Sequence, residues 1–580
     1  MPTQESVQEL DLLQAARCED LVYEQIGELT VLGDLERKIV DTLKQSGAHL
    51  LQGARGVGKS MLLRQAEIEM DVDFQRDRKL GVYVNFKTST LLEGVKAGER
   101  DAFQVWVGAK ILQALYDKLI FLDLVGHEGI IDPYNKIFGV TSVQGIKDTL
   151  KEKVHQLQRL AMVQEKQELI SEIGADFIAR VNDVTFLHDL LKEIVDVFNI
   201  EKLVLLFDEA AHTFIPSQQE IFFEIFKLLH GGKIAVKAAV YPSVTSYGRN
   251  FEVGQDAIVL TMDRFETGSI GRNANRTLFR DMLTKRIPKG SVAKQIFSKG
   301  YLLDQCIDLS TGNPRAFFHL FIRTIDKGYT DRGLLLATQE FVDQELLPYH
   351  QNLSKRLPKF AHHVKVGLDL LRGYVIPEMR NKNFREKKSG YQSAFFTVQR
   401  DMSPNLKLAL DILCYSGVLT SQGTVKIAER RTGLRYMVHL CLLFTEKAFS
   451  APSFSDAMRS LSLTDYREFS SSDRQIEAFL ASLKEAVDKC PNCSTDIPPN
   501  AKFCSECGTK VETTSIISAL LDEPISAISI SERLRLRVEP HYPRVGDVIQ
   551  ARREDLMKIK WIKEVRSRII KNAAEEFISG

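Results

Sequence analysis

The residues best equipped for chemistry form an octapeptide, GARGVGKS, at positions 53–60. Its glycines, Gly53, Gly56 and Gly58, let the backbone curl around an anion so that successive N–H groups point inward. The helix that follows adds the positive end of its dipole. Lys59 brings an ammonium to the outer phosphates of a nucleotide, and Ser60 brings a hydroxyl that can bind Mg²⁺. Val57 and Met61 complete the stretch expected to line the nucleotide. The pattern G-x-x-x-x-G-K-[ST] gains its meaning from context. Here an apolar strand at 48–52 leads into it and a helix opens near Lys59, as phosphate binding requires.

A second element supplies carboxylates. Residues 203–209 read LVLLFDE, an apolar run ending in two acids. A buried strand of this kind delivers Asp208 to the edge of a sheet, where it can hold Mg²⁺ through the ion's water shell. Glu209 is then placed to orient or deprotonate an attacking water. ATP and Mg²⁺ are the expected ligands of the pair. A third group is sulfur: Cys490 and Cys493 form one C-x-x-C, Cys504 and Cys507 another, with 494–503 between them. Four thiolates at this spacing point to a tetrahedral Zn²⁺, closed and structural rather than catalytic. The remaining cysteines, Cys18, Cys306, Cys414 and Cys441, are scattered through apolar, helix-like stretches and read as small buried hydrophobes.

Elements must position these groups. Apolar runs at 48–52, 80–86, 203–207, 234–240 and 257–262 alternate with helical patterns, which predicts a parallel sheet covered by helices. Residues 100–200 read as mostly helical, with Ile146, Leu150, Val154, Leu157 and Leu160 in a stripe at helical spacing. That stripe suits packing on the core or a partner's coiled coil. A helix over 406–415, short apolar and glycine-bearing segments, a polar stretch to Arg435 and an apolar strand at 437–444 follow the order of a winged helix. The Ser- and Asp-rich stretch 450–473 reads as a linker, and a helix over 474–487 leads to the cysteines.

The bulk numbers narrow the function classes. Lys and Arg total 77 against 76 Asp and Glu over 580 residues, so the chain is no bulk polycation and any basic surface is local. Positive segments lie at 355–388, 426–435 and 558–571. The 44% hydrophobic content is that of a globular protein. The N-terminus lacks a basic, apolar leader and no apolar run reaches membrane length, so the expected location is the cytoplasm, with no membrane partner. A reducing compartment also suits thiolate metal sites.

With these motifs in place, residues 30–450 resemble the AAA+ ATPases, and among them the origin-recognition-like branch and the related signalling (STAND) ATPases. The resemblance implies further roles. Arg315, in STGNPR at 310–315, looks like the lid arginine that reaches the terminal phosphate (sensor 2). Arg249 stands where the family keeps an arginine finger supplied to a neighbouring subunit, with Arg264, Arg272 and Arg276 as competitors. Tyr241 and Ser243 occupy the sensor-1 position, where the family commonly has Asn or a hydroxyl residue. A homo-oligomer follows from a finger acting in trans.

The expected fold is thus α/β. It comprises an N-terminal segment (1–30), a P-loop NTPase core with a parallel sheet (31–290) and helical insertion near 100–200, and a helical lid (291–345). After these come a winged-helix-like domain (346–450), a linker and helix (451–487), a zinc ribbon (488–510) and a tail (511–580). The tail looks like a helix-hairpin-helix in which Trp561 and Lys563 replace the usual glycines, leaving Lys558, Lys560, Lys563, Arg566 and Arg568 to supply charge to DNA. On the wing, Lys426, Arg430, Arg431 and Arg435 could meet duplex DNA or a protein. The expected function is a DNA-associated, ATP-hydrolysing machine in genome maintenance or antiviral defence. The competing reading is an ATP-gated scaffold that recruits a protein partner, such as a nuclease, through the zinc ribbon or the insertion.

Overall fold

Apolar runs that are buried on both faces can satisfy their backbone only by pairing with one another. In the computed structural model β1 (Ala48–Gln52), β2 (Lys79–Asn85), β3 (Lys202–Asp208) and β4 (Ile234–Val240) do so, and a more exposed edge strand, β5 (Ile258–Thr261), joins them. They stand in the order β2-β3-β4-β1-β5, every pair parallel. The structure describes residues 11–579 except 88–91, 93, 128–131, 141, 161–165, 210–214, 243, 263–268, 288–290, 358–359, 386–390, 429–430, 452, 463–465, 471, 485–491, 494, 496–505 and 510–519. Because all five strands run the same way, their carboxyl ends share one edge. The loop after β1 and the acids that end β3 therefore emerge side by side.

β4 is buried along its whole length and yet carries Lys237. Its ammonium donates to the Gly47 carbonyl at 2.8 Å and lies 2.8 Å from Nδ1 of His49. Burial lowers the lysine to about 7 and the histidine to about 4.

Helix α1 (Lys59–Asp77) follows the β1 loop, and the insertion is led by α2 (Ala102–Phe121) and α3 (Val143–Arg159). The α3 stripe is covered by this chain itself. Ile146, Leu150, Val154, Leu157 and Leu160 join Trp106 and Leu112 of α2 in the core beneath the sheet. No helix among the described residues is long and apolar enough to cross a membrane.

The lid helices, including α4 (Pro314–Asp326), do not form a separate unit. They share one hydrophobic core with the next domain, in which Phe317 and Leu320 meet Phe395, Leu410 and Leu440. That domain holds β6 (Phe395–Gln399), α5 (Pro404–Tyr415), β7 (Leu419–Ala428) and β8 (Arg431–Val438). A helix followed by an antiparallel β7–β8 hairpin is a winged-helix arrangement.

Two local expectations are corrected. The strand placed at 437–444 ends at Val438, and Leu440–Thr445 is helical. Pairing with β7 draws the polar stretch before Met437 into the ladder, and the buried register overrides its polarity. The stretch 450–473 is not a linker. Phe454, Met458 and Leu461 enter the lid core, and β9 (Arg467–Phe469) adds to β6 in parallel. Its Ser and Asp content masks a few widely spaced apolar anchors. The N-terminal segment also packs into the fold, with Ala15, Cys18, Leu21 and Ile26 buried.

These last residues pack on the tail. Residues 520–579 build a small helical core from Ile525, Val545, Leu556, Ile562, Ile570 and Phe577, closed by α6 (Glu564–Ser579). Leu534 and Ile569 face the other way, onto Cys18 and Leu21. Trp561 sits at φ +72° in the turn before α6, a left-handed conformation that ordinarily favours glycine. Arg566 and Arg568 are buried. Arg566 donates to the Trp561 carbonyl at 2.7 Å and Arg568 to the Asp20 carbonyl at 3.0 Å, so neither supplies charge to a nucleic acid. Lys558, Lys560 and Lys563 remain exposed.

Candidate nucleotide-binding site

The loop between β1 and α1 is held from both ends. Gly53 donates to the Val240 carbonyl across the sheet at 3.3 Å, and Gly58 caps α1 at φ +98°. No acidic residue occupies the first turn of α1, which leaves the positive helix end to an anion. Gly56, at φ +83°, is required twice over. A Cβ there would also stand 2.6 Å from Oδ1 of Asn313 and 3.0 Å from Cβ of Arg315.

Lys59 is buried, its ammonium donating to the carbonyls of Gly53 (2.7 Å) and Ala54 (3.1 Å) and lying 3.9 Å from the centre of the Tyr241 ring. Burial pulls its pKa down, while Glu209 and Asp208 favour the charged form. Asp208 is equally buried and accepts from the Tyr83 hydroxyl at 2.6 Å and from the Glu209 amide at 3.0 Å. Burial and then the Glu209 charge push its carboxyl up, while hydrogen bonds from Ser60 and Tyr83 oppose that. Glu209 adopts φ +58°, a strained conformation for a non-glycine residue, and both its carboxylate oxygens stand 3.4 Å from the Tyr241 hydroxyl. Lys59, Ser60, Asp208 and Glu209 thus meet at the carboxyl edge. Val57 is buried just ahead of α1, while Met61 faces the N-terminal and tail residues.

The contact between Ser60 and Asp208 is the test of a metal here. Two oxygen donors, one of them an acid whose ionised form burial disfavours, suit a hard divalent cation such as Mg²⁺.

The lid touches the loop directly. Asn313 caps α4, its side-chain oxygen accepting from the amides of Arg315 and Ala316, while its Nδ2 donates to the Arg55 carbonyl at 2.7 Å. The Arg315 amide reaches the Gly56 carbonyl at 3.4 Å. The guanidinium of Arg315 donates to Glu576 of α6 at 2.9 Å, and Arg55 donates to the same oxygen at 2.7 Å. The winged-helix domain closes the same side: Tyr415 of α5 packs edge-on against Tyr241, and Arg55 donates to the hydroxyls of Tyr349 and Tyr415.

Other anticipated residues fall elsewhere. Arg249 is exposed on the loop before β5, and its amide donates to Glu220 at 3.4 Å. Arg276 pairs with Asp308 at 2.5 Å and Arg272 donates to the Met458 carbonyl, so both are engaged within the chain. Ser243 and Arg264 lie outside the described residues, as does Arg430. On the wing Lys426 is exposed, Arg431 faces Glu468 at 3.5 Å and Arg435 stacks on Tyr466. Sequence reasoning missed Arg55, Tyr83, Asn313 and Glu576. Arg55 is a free position of the loop pattern, and nothing local marks Glu576, which lies far along the chain from its partners.

Of the four cysteines, Cys490 and Cys504 lie outside the described residues, while Cys493 and Cys507 are exposed. Gly508 follows at φ +67°, the left-handed turn a C-x-x-C knuckle needs. Four thiolates in two knuckles fit zinc. Metal analysis of the purified chain should find one zinc per chain. Cys493→Ser or Cys507→Ser should remove most of it while leaving thermal unfolding of the parallel-sheet core in place, because so small a segment folds around its metal rather than around a core. A fully zinc-loaded Cys507→Ser chain would contradict the assignment.

Comparison with known proteins agrees on this segment: residues 489–511 match the zinc-ribbon domain family. No curated protein matches the chain. Among solved structures it is similar to the ORC1 protein of Aeropyrum pernix in complex with DNA. The identity is 14%, covering 77% of this chain and 97% of that one, with a TM-score of 0.29. It is also similar to the ORC2 protein of Aeropyrum pernix (ADPNP–ADP complexes), at 10% identity over 78% and 93% of the two chains, with a TM-score of 0.32.

Proposed function

We propose that this protein binds and hydrolyses ATP in a P-loop site and couples the nucleotide to DNA. The observation that carries the reading is the meeting of Lys59, Ser60, Asp208 and Glu209 at the carboxyl edge of a parallel sheet, in front of a helix start free of acids. In this reading the loop amides and Lys59 bind the phosphates, Val57 borders the nucleotide, and Met61, expected beside it, instead packs against the N-terminal and tail residues. Ser60 and Asp208 hold Mg²⁺, which when bound neutralises charge on the outer phosphates. Glu209 orients water and takes its proton as the phosphorus–oxygen bond breaks. Arg315 answers the charge on the terminal phosphate, and Arg249, exposed on its loop, is the arginine offered to a second copy in a homo-oligomer. Ser243 stays a candidate for sensor 1 beside Tyr241, whose hydroxyl already faces Glu209.

The DNA half of the proposal rests on the β7–β8 wing, with Lys426 exposed, and on the exposed tail lysines. It places the protein in the cytoplasm, in genome maintenance or defence. ATP turnover measured with and without duplex DNA tests it. Turnover should rise severalfold with DNA at low salt, the stimulation shrinking as salt releases phosphate contacts. Indifference to DNA, with tight binding to a protein, would leave the ATP-gated scaffold. That second reading draws support from the coverage of the site by α6, which suits slow turnover.

A further inference from the structure

The last helix of the chain ends inside the candidate nucleotide site. Glu576 of α6 is buried and meets three arginines from three separate parts of the chain: Arg17 of the N-terminal segment, Arg55 of the P-loop and Arg315 of the lid. Burial alone would raise its carboxyl, yet Arg17, Arg315 and Arg55 hold it well below the usual carboxylate range. The helix is laid along the sheet edge by further contacts. Lys87, just past β2, donates to the Asn572 carbonyl at 3.3 Å, and Asn572 donates to Asp20 at 2.8 Å. Arg356 from the lid side covers Phe577. Beside the cluster lies a partly open pocket bordered by Arg17, Arg55, Arg315, Tyr349 and Arg356. The arginines are therefore not sealed in a solid core. An anion could reach them from the same side.

Two of these arginines already have another claim on them. Arg55 belongs to the loop that would cradle the phosphates, and Arg315 begins the helix whose first amide touches Gly56. Both act electrostatically on Lys59. A carboxylate that satisfies Arg55 and Arg315 does for them what a phosphate oxygen would do. It also keeps the lid drawn onto the tail.

We infer that Arg55 and Arg315, with Arg17 behind them, form an anion subsite occupied by the chain's own Glu576 in the resting state and by the terminal phosphate of a nucleoside triphosphate in the active one. The inference rests on the nucleotide reading of the P-loop. Binding of the triphosphate frees Glu576, and α6 lifts from the sheet edge. No covalent step is involved; one anion replaces another on the same cations. Because the binding-competent form is only a fraction of the resting population, the latch weakens apparent affinity by that fraction. A diphosphate has no group to compete for Arg315 and leaves the latch closed.

Hydrogen exchange on the full-length chain, with Mg·ATP, Mg·ADP or neither, reads the latch directly. Amides of 564–579 should exchange faster with ATP and stay protected with ADP. Unchanged or slower exchange on saturation with ATP overturns the inference, since the tail would then be indifferent to the nucleotide or closed over it. In parallel, Glu576→Gln keeps the shape and removes the charge, and should bind ATP about tenfold more tightly than the unaltered chain. Equal or weaker binding counts against the latch. The two readings fail differently. If ATP binds to the unaltered chain and not to Lys59→Ala, while the tail stays protected, only the latch is wrong. If neither the unaltered chain nor Glu576→Gln binds ATP, the nucleotide reading falls and the latch with it.

Discussion

Lys59→Ala should lower the affinity for ATP by about a hundredfold or more, the cost of removing a charged donor from a buried phosphate site, about 3 kcal/mol. In the structure the ammonium is buried and is held by two loop carbonyls and the Tyr241 ring, so it is already aimed at the loop's interior. Removing it also takes away a cation whose pKa burial has lowered and which a phosphate would restore. Equilibrium binding of a fluorescent ATP analogue to the two chains provides the measurement. A thermal unfolding curve on each separates loss of the site from loss of the fold, because Lys59 also ties the loop to itself. Undiminished affinity in a folded Lys59→Ala chain would remove the P-loop from the function altogether.

Glu209→Gln should leave ATP binding intact and slow turnover by roughly 10²–10⁴-fold, the usual contribution of a general base. The residue follows β3 in a strained left-handed conformation, with its carboxylate facing a tyrosine hydroxyl. The amide of glutamine preserves shape and removes the capacity to take a proton. Phosphate release and nucleotide affinity measured on one preparation distinguish a lost base from a lost site. Turnover that survives the change would move water activation to another group. Turnover and binding lost together would make Glu209 a residue of the fold.

Much of the sheet was legible because its signals are local. A buried parallel strand must be a short continuous apolar run, and the five apolar runs fall within about a residue or two of the observed strands, the exposed edge strand β5 included. The loop at 53–60 was legible for a related reason: wrapping an anion in backbone amides demands glycines at set offsets from a helix start. The stretch 450–473 was illegible because Phe454, Met458 and Phe469 are spaced too widely among Ser and Asp to show a period. Lys237 is the reverse case. A lysine in an apolar strand looks like an edge signal, yet a nearby turn supplies the Gly47 carbonyl that receives its ammonium.

The α/β class, the glycine-rich loop, the acidic strand end and the paired C-x-x-C motifs are legible along the chain, since each is a contiguous pattern whose geometry is dictated by its neighbours. What surrounds the site comes from folding: Tyr241 against Glu209, Asn313 against Gly56, the fusion of lid and winged helix into one core, and Glu576 among Arg17, Arg55 and Arg315. Contacts between residues tens to hundreds of positions apart leave no periodicity and no spacing to read. They exist because burying a carboxylate is tolerable only where several cations converge, and that convergence is made by folding alone.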